Sequence, residues 1–394
     1  MSVPAQFAVA ADCVFDGETL HHRAAVVVEG TRIARIVPAA EIGMPVTALQ
    51  QGAWLAPGFV DIQVNGGGDV LFNDAPSPES IATIAAAHRR FGTTGLLPTL
   101  ITDRPEKTAS AIAAVQQAMR TEPAVLGLHL EGPFLSPRKP GVHDPALVRA
   151  PTPADLEMLT APRQGALVVT LAPEEVPPGC IARLTAAGVR VCLGHSMATY
   201  AQTRAALAEG LAGFTHLFNA MRPLESREPG PIAAALETPA CSYGLIADGV
   251  HVDSAMLRLA LRGLGNPMLV TDAMPPVGGS RATFALGGRR ISHRHDRCVT
   301  DDGTLAGAFL DMASAVRNCV RLLGLSLEQA LRLASLNPAS FLGLAVGRLA
   351  PGYRADMVAL DPEKVEVLQT WIAGVEHSDE RADHCVDRSD RLHR

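Results

Sequence analysis

Four side chains that can bind a metal ion or transfer a proton directly follow apolar segments of this 394-residue chain. Glu131 comes after VLGLHL, His195 after VRVCLG, His216 after GFT and Asp272 after MLVT. Two imidazoles and a carboxylate form a mixed nitrogen and oxygen site that suits Zn²⁺ or Fe²⁺ and leaves a position for water. A divalent cation lowers the pKa of a coordinated water to about 7, and Asp272 can act as the general base during attack on a carbonyl. The four residues together predict a metal-dependent hydrolytic site.

Each of these four residues also has an ordinary structural explanation. A single histidine near the end of a strand is more often a hydrogen-bonded structural residue than a ligand. Glu131 could pair with a lysine, and Asp272 could cap a following helix. The coincidence of all four at the ends of candidate strands favours the site.

Other reactive side chains have less specific patterns. The pair His21-His22 and the run 293–295 are predicted to lie in solvated turns rather than to bind a metal ion. Cys192 lies in an apolar strand and is predicted to belong to the core. Glycines 66–68 are predicted to form a flexible loop after the first strand, and they lack the GxGxxG spacing of a dinucleotide-binding turn.

The candidate residues need a scaffold that brings distant strand ends together. Apolar segments alternate with helix-like stretches, a pattern that predicts parallel pairing. Eight such units predict an α/β fold, a (β/α)8 TIM-like barrel, in which catalytic residues lie at the carboxyl ends of the strands. A doubly wound sheet has the same alternation, so the pattern alone leaves both architectures open. The eight candidate strands are 59–64, 95–99, 125–130, 166–171, 189–194, 213–217, 243–246 and 268–271.

Both ends of the chain are predicted to contribute to one small β domain, with two unrelated hairpins as the alternative. Residues 24–37 are β-branched with a glycine near the middle, as in a hairpin, and 352–360 form a strand after a Pro-Gly break. Residues 282–300 are predicted to be an inserted hairpin with a turn at Gly287-Gly288. The predicted divisions are 1–57 and 346–376 for a β-sandwich, 58–345 for the barrel and 377–394 for a polar tail.

Composition limits the classes of function. The net charge of −6 argues against general nucleic-acid binding, although a local basic pocket is still compatible with it. The seven cysteines are odd in number and contain no CxxC pair, which favours reduced thiols. No apolar run reaches the roughly 18 residues of a membrane helix, and the N-terminus lacks the pattern of a signal peptide. We therefore expect a cytoplasmic enzyme without nucleic-acid or membrane partners.

Long motifs run in order from about residue 15 to residue 375. They include PGFVDIQVNG at 57–66, HLEGPFLSPRKPGVHD at 129–144, GHSMATY at 194–200, FTHLFNAM at 214–221, REPG at 227–230, ADGVHV at 247–252, LVTDAMPPVGG at 269–279 and LAGAFLDMASAVRN at 305–318. With these motifs the chain resembles the N-acetylglucosamine-6-phosphate deacetylases of the amidohydrolase superfamily. The resemblance implies hydrolysis of N-acetyl-D-glucosamine 6-phosphate to D-glucosamine 6-phosphate and acetate, in amino-sugar catabolism or recycling.

The resemblance also implies roles for individual residues. Glu131, His195 and His216 would be the ligands of one divalent metal ion per subunit, Zn²⁺ or Fe²⁺. Asp272 would be the catalytic acid and base, and His143 would bond the acetyl carbonyl and stabilise the oxyanion. Family members are homodimers in which the phosphate-binding arginine, here Arg227, comes from the neighbouring subunit. The substrate contacts implied are Gly141, Val142, His143, Asn219, Ala220, Arg227, His251, Leu305, Ala306 and Gly307.

One departure from the wider superfamily concerns the first barrel strand. Many amidohydrolases carry His-x-His there and bind two metal ions, whereas this chain has Gln63 and Asn65. Amides are poor ligands beside imidazole, so we expect a vestigial second metal site that is weak or empty. No residue distinguishes the galacto epimer of the substrate, which is the nearest alternative. Arg227 and His251 argue against a D-aminoacylase, and the intact ligands and base argue against an inactive scaffold.

Overall fold

A computed structural model of the chain describes residues 6–377, and a parallel eight-stranded barrel forms its centre. The strands pair in sequence order, and the barrel closes where Val64 bridges Ala273 and the Asp272 amide donates to the Gln63 carbonyl across 3.0 Å. This arrangement confirms the predicted TIM-like barrel over a doubly wound sheet. The strands are β1 (Phe59–Val64), β2 (Thr93–Ile101), β3 (Gly127–Glu131), β4 (Ala166–Leu171), β5 (Arg190–Leu193), β6 (Gly213–Phe214), β7 (Ser242–Leu245) and β8 (Asn266–Leu269).

The barrel strands are apolar on both faces, as expected for parallel strands covered by helices. All nine residues of β2 are buried, and β1 is buried along its whole length. Several helices begin with a capping side chain: Ser77 accepts from the Ser80 amide, and Thr152, Thr199 and Ser326 form reciprocal capping boxes. These caps satisfy amides that would otherwise lack partners at the helix starts.

The described part of the chain contains ten α-helices and two short 3₁₀ helices, and no helix in it has the length and apolar character to cross a membrane. The 3₁₀ helices are Ala39–Glu41 and Pro173–Glu175. The α-helices are α1 (Pro78–Arg89), α2 (Pro105–Ala118), α3 (Pro153–Thr160), α4 (Cys180–Ala186), α5 (Tyr200–Ala208), α6 (Gly230–Glu237), α7 (Ser254–Ala260), α8 (Met312–Leu323), α9 (Leu327–Ala334) and α10 (Leu336–Leu342).

A second sheet of eight strands is built from both ends of the chain, which confirms the joined small domain. Trp54–Pro57 pairs antiparallel with Met357–Asp361 and joins the two ends. The Ile33 amide donates to the Tyr353 carbonyl across 2.9 Å. The strand that contains Ile33 therefore also contacts the segment just before Met357. The strands are Gln6–Phe15, Leu20–Glu29, Arg32–Pro38, Val46–Ala48, Trp54–Pro57, Met357–Asp361, Glu366–Ile372 and Val375–His377.

Some local predictions differ from the structure. His21 and His22 lie within a strand rather than in a turn, because this strand begins four residues earlier than predicted. Gly66–Gly67 form a two-residue strand with Val70–Leu71 instead of a flexible loop. The predicted limits of the domains remain a prediction, but His377 belongs to the last strand, and residues 378–394 of the predicted tail lie outside the described residues.

The insertion after β8 is larger than the predicted hairpin. It is an antiparallel sheet of four strands, Thr283–Leu286, Arg289–Arg294, Arg297–Thr300 and Leu305–Ala308, with the predicted turn at Gly287-Gly288. His293 lies in the second strand and His295 in the turn after it. The sheet has its own small core, and its last strand ends beside the barrel, where the Ala308 amide donates to the Asp272 carbonyl.

Candidate metal-dependent active site

The three predicted metal ligands and the predicted general base lie at the carboxyl ends of the barrel strands. Glu131 is the last residue of β3, His195 and His216 each lie two residues beyond β5 and β6, and Asp272 lies three residues beyond β8. His195, His216 and Asp272 have φ angles of +48°, +31° and +51°, in a region that residues other than glycine seldom adopt. Such backbone strain concentrates at functional sites, where the surrounding structure maintains it.

Glu131, His195 and His216 converge on one point inside the barrel. Glu131 Oε1 lies 3.0 Å from His195 Nε2 and 2.9 Å from His216 Nε2, and the two Nε2 atoms are 3.2 Å apart. All three side chains are buried, and one ligand atom from each lies within 4.8 Å of the others. Burial alone would raise the pKa of Glu131, but the close His195 and His216 side chains outweigh it and hold that pKa well below its usual value. The carboxylate is therefore anionic, as a metal ligand must be.

A backbone contact determines which nitrogen of His195 faces the cluster. Its Nδ1 lies 2.9 Å from the carbonyl oxygen of Lys139, which can only accept a hydrogen. Nδ1 therefore carries the hydrogen and Nε2 presents a lone pair to Glu131 and His216. Histidine ligands in metal sites are oriented by this kind of outer hydrogen bond.

Two amides connect Asp272 to the cluster. The Gln63 amide nitrogen donates to Glu131 Oε2 across 3.1 Å and to Asp272 Oδ1 across 3.2 Å. The Asn65 amide nitrogen donates to the same Oδ1 across 2.6 Å. Burial, reinforced by the nearby charge of Glu131, raises the pKa of Asp272 to about 6. A carboxyl group with a pKa near the working pH is suited to accept and return a proton.

His143 lies beside the cluster, and the opposite edge of its ring contacts Thr102, the residue after β2. Its Nε2 is 3.9 Å from Glu131 Oε1, and its Nδ1 is 2.8 Å from the hydroxyl oxygen of Thr102. Burial, together with the neighbouring His195, lowers the pKa of His143 to about 3. The ring is therefore neutral at ordinary pH and can donate one hydrogen bond without carrying charge.

A cavity of about 380 Å³ opens over these residues. His251 lines it, with Nδ1 bonded to Asp248 Oδ2 across 2.6 Å, which leaves Nε2 as the unbonded ring nitrogen. Ala306 does not line the cavity, because it is buried in the core of the inserted sheet, and Gln63 lies behind the lining residues. The predicted residues that do line it are Asn65, Glu131, Gly141, Val142, His143, His195, His216, Asn219, Ala220, His251, Asp272, Leu305 and Gly307.

Arg227 is the other predicted substrate residue that does not line this cavity. It is exposed on the loop between β6 and α6, and it makes no hydrogen bond or ion pair with any residue from 6 to 377. Within residues 6–377, neither Glu225 nor Glu228 pairs with it, and the Glu228 carboxylate accepts instead from the amides of Tyr200 and Gly230. The structure therefore does not bring Arg227 together with the other predicted substrate residues.

Two cations in the cavity were not singled out from the sequence. Arg138 and Lys139 line it on the loop after β3. Both belong to the motif HLEGPFLSPRKPGVHD, which also contains the predicted metal ligand Glu131. Two adjacent cationic residues in that motif could have indicated that the substrate carries an anionic group. Thr102 was also missed, because a threonine at the end of an apolar strand has no distinctive pattern.

The comparisons with known proteins agree with this geometry. The model of the amidohydrolase family matches residues 54–378, which is most of the chain. This chain belongs to the amidohydrolase family. It is 42% identical to N-acetylgalactosamine-6-phosphate deacetylase of Shewanella sp. (strain ANA-3), over 81% of this chain and 82% of that protein. It is 33% identical to N-acetylglucosamine-6-phosphate deacetylase of Haemophilus influenzae, over 89% and 93%.

A solved structure extends the similarity to the whole fold. The crystal structure of N-acetylglucosamine-6-phosphate deacetylase from Pasteurella multocida superposes with a TM-score of 0.91 at 32% identity, and it covers 95% of this amidohydrolase and 100% of that chain. The similarity includes the terminal sheet as well as the barrel, and it confirms the family resemblance drawn from the sequence motifs.

The amidohydrolase family is metal-dependent, and the residues present fit a divalent cation. Two imidazole nitrogens and one carboxylate oxygen are the donors that such ions prefer. The anionic state of Glu131 and the lone pair of His195 both point to a positive partner between them. Glu131, His195 and His216 are therefore the candidate metal ligands of this amidohydrolase.

Proposed function

We propose that this amidohydrolase removes the acetyl group of N-acetyl-D-glucosamine 6-phosphate and releases D-glucosamine 6-phosphate and acetate, a step of amino-sugar catabolism or recycling. One observation carries the proposal: a three-ligand cluster and a proton-accepting carboxyl share a cavity with Arg138 and Lys139. The names of relatives at 33–42% identity support the substrate class.

Glu131, His195 and His216 would hold one divalent cation, for which Zn²⁺ and Fe²⁺ suit the ligands best. Bound there, the cation would polarise the acetyl carbonyl and lower the pKa of water to about 7. Gln63 and Asn65 occupy the place of a second pair of ligands, but their amide nitrogens already donate to carboxylates, so we expect the second site to be weak or empty.

The proton movements follow from the positions of Asp272 and His143. Asp272 Oδ1 already accepts two hydrogen bonds, so Oδ2 is the oxygen that takes the proton from the attacking water. The same oxygen returns the proton to the sugar nitrogen as the carbon–nitrogen bond breaks, which releases a neutral amine and acetic acid. The acid then loses the second water proton to solvent and becomes acetate. Nε2 of His143 would donate to the carbonyl oxygen as negative charge develops on it.

The phosphate would bind at the cationic part of the cavity. Arg138 and Lys139 supply positive charge from the same chain, and His251 offers its unbonded ring nitrogen. We further propose a homodimer in which the exposed Arg227 completes the site of the neighbouring subunit with a bidentate hydrogen bond to phosphate. Asn219, Ala220 and the strand containing Leu305 and Gly307 would contact the sugar.

The galacto epimer is a second candidate substrate. The specific reason is that the relative with 42% identity is named for N-acetylgalactosamine 6-phosphate, while others are named for the gluco sugar. The two sugars differ only at C4, so both fit the proposed chemistry at the acetyl group.

The test is steady-state kinetics of purified protein on both phosphosugars, with and without added Zn²⁺ or Fe²⁺. We expect kcat/KM to be highest for N-acetylglucosamine 6-phosphate and to depend on metal. Higher kcat/KM for the galacto sugar would replace the proposed substrate with its epimer. Activity on neither sugar in metal-loaded protein would contradict the proposed function.

A further inference from the structure

Both hydrogen-bond contacts described for His143 Nδ1 come from one residue, Thr102. The Thr102 hydroxyl oxygen lies 2.8 Å from His143 Nδ1, and the Thr102 backbone nitrogen lies 3.4 Å from the same atom. A backbone N–H can only donate, so it requires a lone pair on Nδ1. The other acceptor near the hydroxyl, the Glu131 carbonyl, is 3.5 Å away, and the shorter contact to Nδ1 is favoured.

The position of Thr102 is itself fixed by its neighbours. Asn73 bonds both backbone groups of Ile101, accepting from its amide across 3.0 Å and donating to its carbonyl across 3.0 Å. On the other side, Gly132 has a φ of +88°, and a Cβ atom there would lie 2.2 Å from the Thr102 hydroxyl oxygen. A glycine at position 132 is therefore needed to leave space for the Thr102 hydroxyl beside the imidazole.

A neutral imidazole has one N–H and one lone pair, so an accepting Nδ1 places the hydrogen on Nε2. Nε2 is the atom that faces the ligand cluster, 3.9 Å from Glu131 Oε1. With the hydrogen on Nδ1 instead, Nε2 would present a lone pair to the substrate oxygen and repel it.

We propose that Thr102 is a positioning residue that holds His143 in the tautomer with hydrogen on Nε2, so that this N–H is ready to donate to the acetyl carbonyl. The inference rests on the proposed function for the identity of the carbonyl, but the tautomer is a property of the protein alone. Thr102 acts through His143 and does not touch the substrate.

The first test reads the tautomer directly. Nitrogen-15 NMR of the Zn²⁺-loaded protein, with the His143 signals assigned by their loss in His143→Gln, distinguishes an accepting Nδ1 from a protonated one. We expect hydrogen on Nε2 in the native protein and a mixture of tautomers in Thr102→Val, which keeps the shape and the backbone N–H but lacks the hydroxyl. Hydrogen on Nδ1 in the native protein would overturn the inference.

The second test uses turnover, with Thr102→Ser as the matched control that keeps the hydroxyl. We expect kcat of Thr102→Val to fall about 10-fold, less than the 10²–10³-fold loss of a whole oxyanion donor, because the backbone N–H remains. KM and metal content should change little, and Thr102→Ser should stay near the native rate. Equal losses in the Val and Ser variants would show a packing role and overturn the inference.

A trifluoroacetyl substrate separates this inference from the proposed function. Its carbonyl is already strongly electrophilic, so the loss caused by Thr102→Val should be smaller than with the acetyl sugar. A native protein that hydrolyses neither phosphosugar contradicts the proposed function, whereas the NMR result still decides whether Thr102 sets the tautomer.

Discussion

The side-chain amide of Asn65 donates a hydrogen bond to Oδ1 of Asp272 across 2.6 Å. Where many amidohydrolases carry a histidine, this chain has an amide that orients the carboxyl group we propose as the general base. With Gln63 on the same oxygen, the proton-accepting role passes to Oδ2. Oδ1 of Asp272 therefore has two side-chain amides as its hydrogen-bond donors.

Replacing Asn65 should impair turnover more than binding. In Asn65→Leu, Oδ1 loses one of its two donors and we expect kcat to fall about 10-fold, at the low end of an acid–base contribution. In Asn65→Asp, a carboxylate would stand at hydrogen-bond distance from Asp272, and the like charges should cause a larger loss. Native turnover in metal-loaded Asn65→Asp would refute the role of this amide.

Removal of a proposed ligand should release the metal. His195→Ala or His216→Ala leaves two of the three side chains in the cluster, so metal content should fall well below one ion per chain, together with activity. The control is His293→Ala, a half-buried histidine of the inserted sheet, which should retain both. Elemental analysis after dialysis provides the measurement, and full occupancy in His195→Ala would remove this residue from the site.

Asp272→Asn should retain metal and lose turnover. The amide has the same size but cannot take a proton, so we expect kcat to fall by at least about 10²-fold. Asp302→Asn, on the exposed inserted sheet, is a matched control for the loss of one carboxylate. Metal-loaded Asp272→Asn that turns over normally would exclude Asp272 as the base.

Arg227→Ala should affect phosphorylated and free sugars differently. KM for N-acetylglucosamine 6-phosphate should rise at least about 10-fold, since a charge-assisted bidentate contact is lost, while hydrolysis of N-acetylglucosamine should change little. Arg204→Ala, an exposed arginine paired with Glu237, is the control. Equal effects on both sugars would mean that Arg227 does not bind phosphate.

Mixing two impaired variants tests whether Arg227 acts across an interface. A heterodimer of Arg227→Ala and Asp272→Asn chains contains one site in which the native Asp272 of one chain meets the native Arg227 of the other. We expect activity to recover in heterodimers isolated by two affinity tags. Without recovery, Arg227 serves its own subunit or no site at all.

Asp61 should make stability depend on pH. It is buried in β1 and accepts from the Thr271 hydroxyl across 2.5 Å, yet burial raises its pKa to about 7. Because the pKa in the folded state is raised, the contribution of protonated Asp61 is fully present below its unfolded pKa of about 4 and is lost as pH rises to about 7. The native protein should thus lose stability relative to Asp61→Asn over this interval.

Denaturant unfolding of both proteins at several pH values measures this difference. Groups other than Asp61 titrate in both and cancel, so the free-energy gap between them should change by roughly 4 kcal/mol at most across three pH units. Parallel curves for the two proteins would show that Asp61 has the same charge throughout.

The strand pattern was readable from the sequence, but the strand ends were less so. The sixth strand was expected to run to Leu217, whereas β6 ends at Phe214. The positive φ angles of His216 and Phe218 turn the chain away from the sheet. Such angles could not be predicted from the residue types histidine and phenylalanine. The last strand of the insertion, Leu305–Ala308, was missed because Leu305, Ala306 and Gly307 were predicted only as substrate contacts.

The roles of the histidines in the site were also difficult to predict from the residue type alone. His129 lies two residues before Glu131, and both of its ring nitrogens are bonded, to the Ile62 carbonyl and the Thr170 hydroxyl. It is a structural histidine, although its position near a strand end resembles that of His195. The two histidines differ in which atoms the closed barrel brings within 3 Å of their rings. In the sequence, the resemblance of the motifs distinguished them, whereas the residue type did not.

The pairing of Trp54–Pro57 with Met357–Asp361 has a consequence for biosynthesis. The ribosome adds about 5–20 residues per second, so the 300 residues that separate these strands take roughly 15–60 s to appear. Throughout that interval, the edge of Trp54–Pro57 that later pairs with Met357–Asp361 has no partner from the same chain. An open strand edge can pair with other nascent chains. We therefore expect the need for a chaperone to be greatest at these N-terminal strands, far in the sequence from the candidate active-site residues.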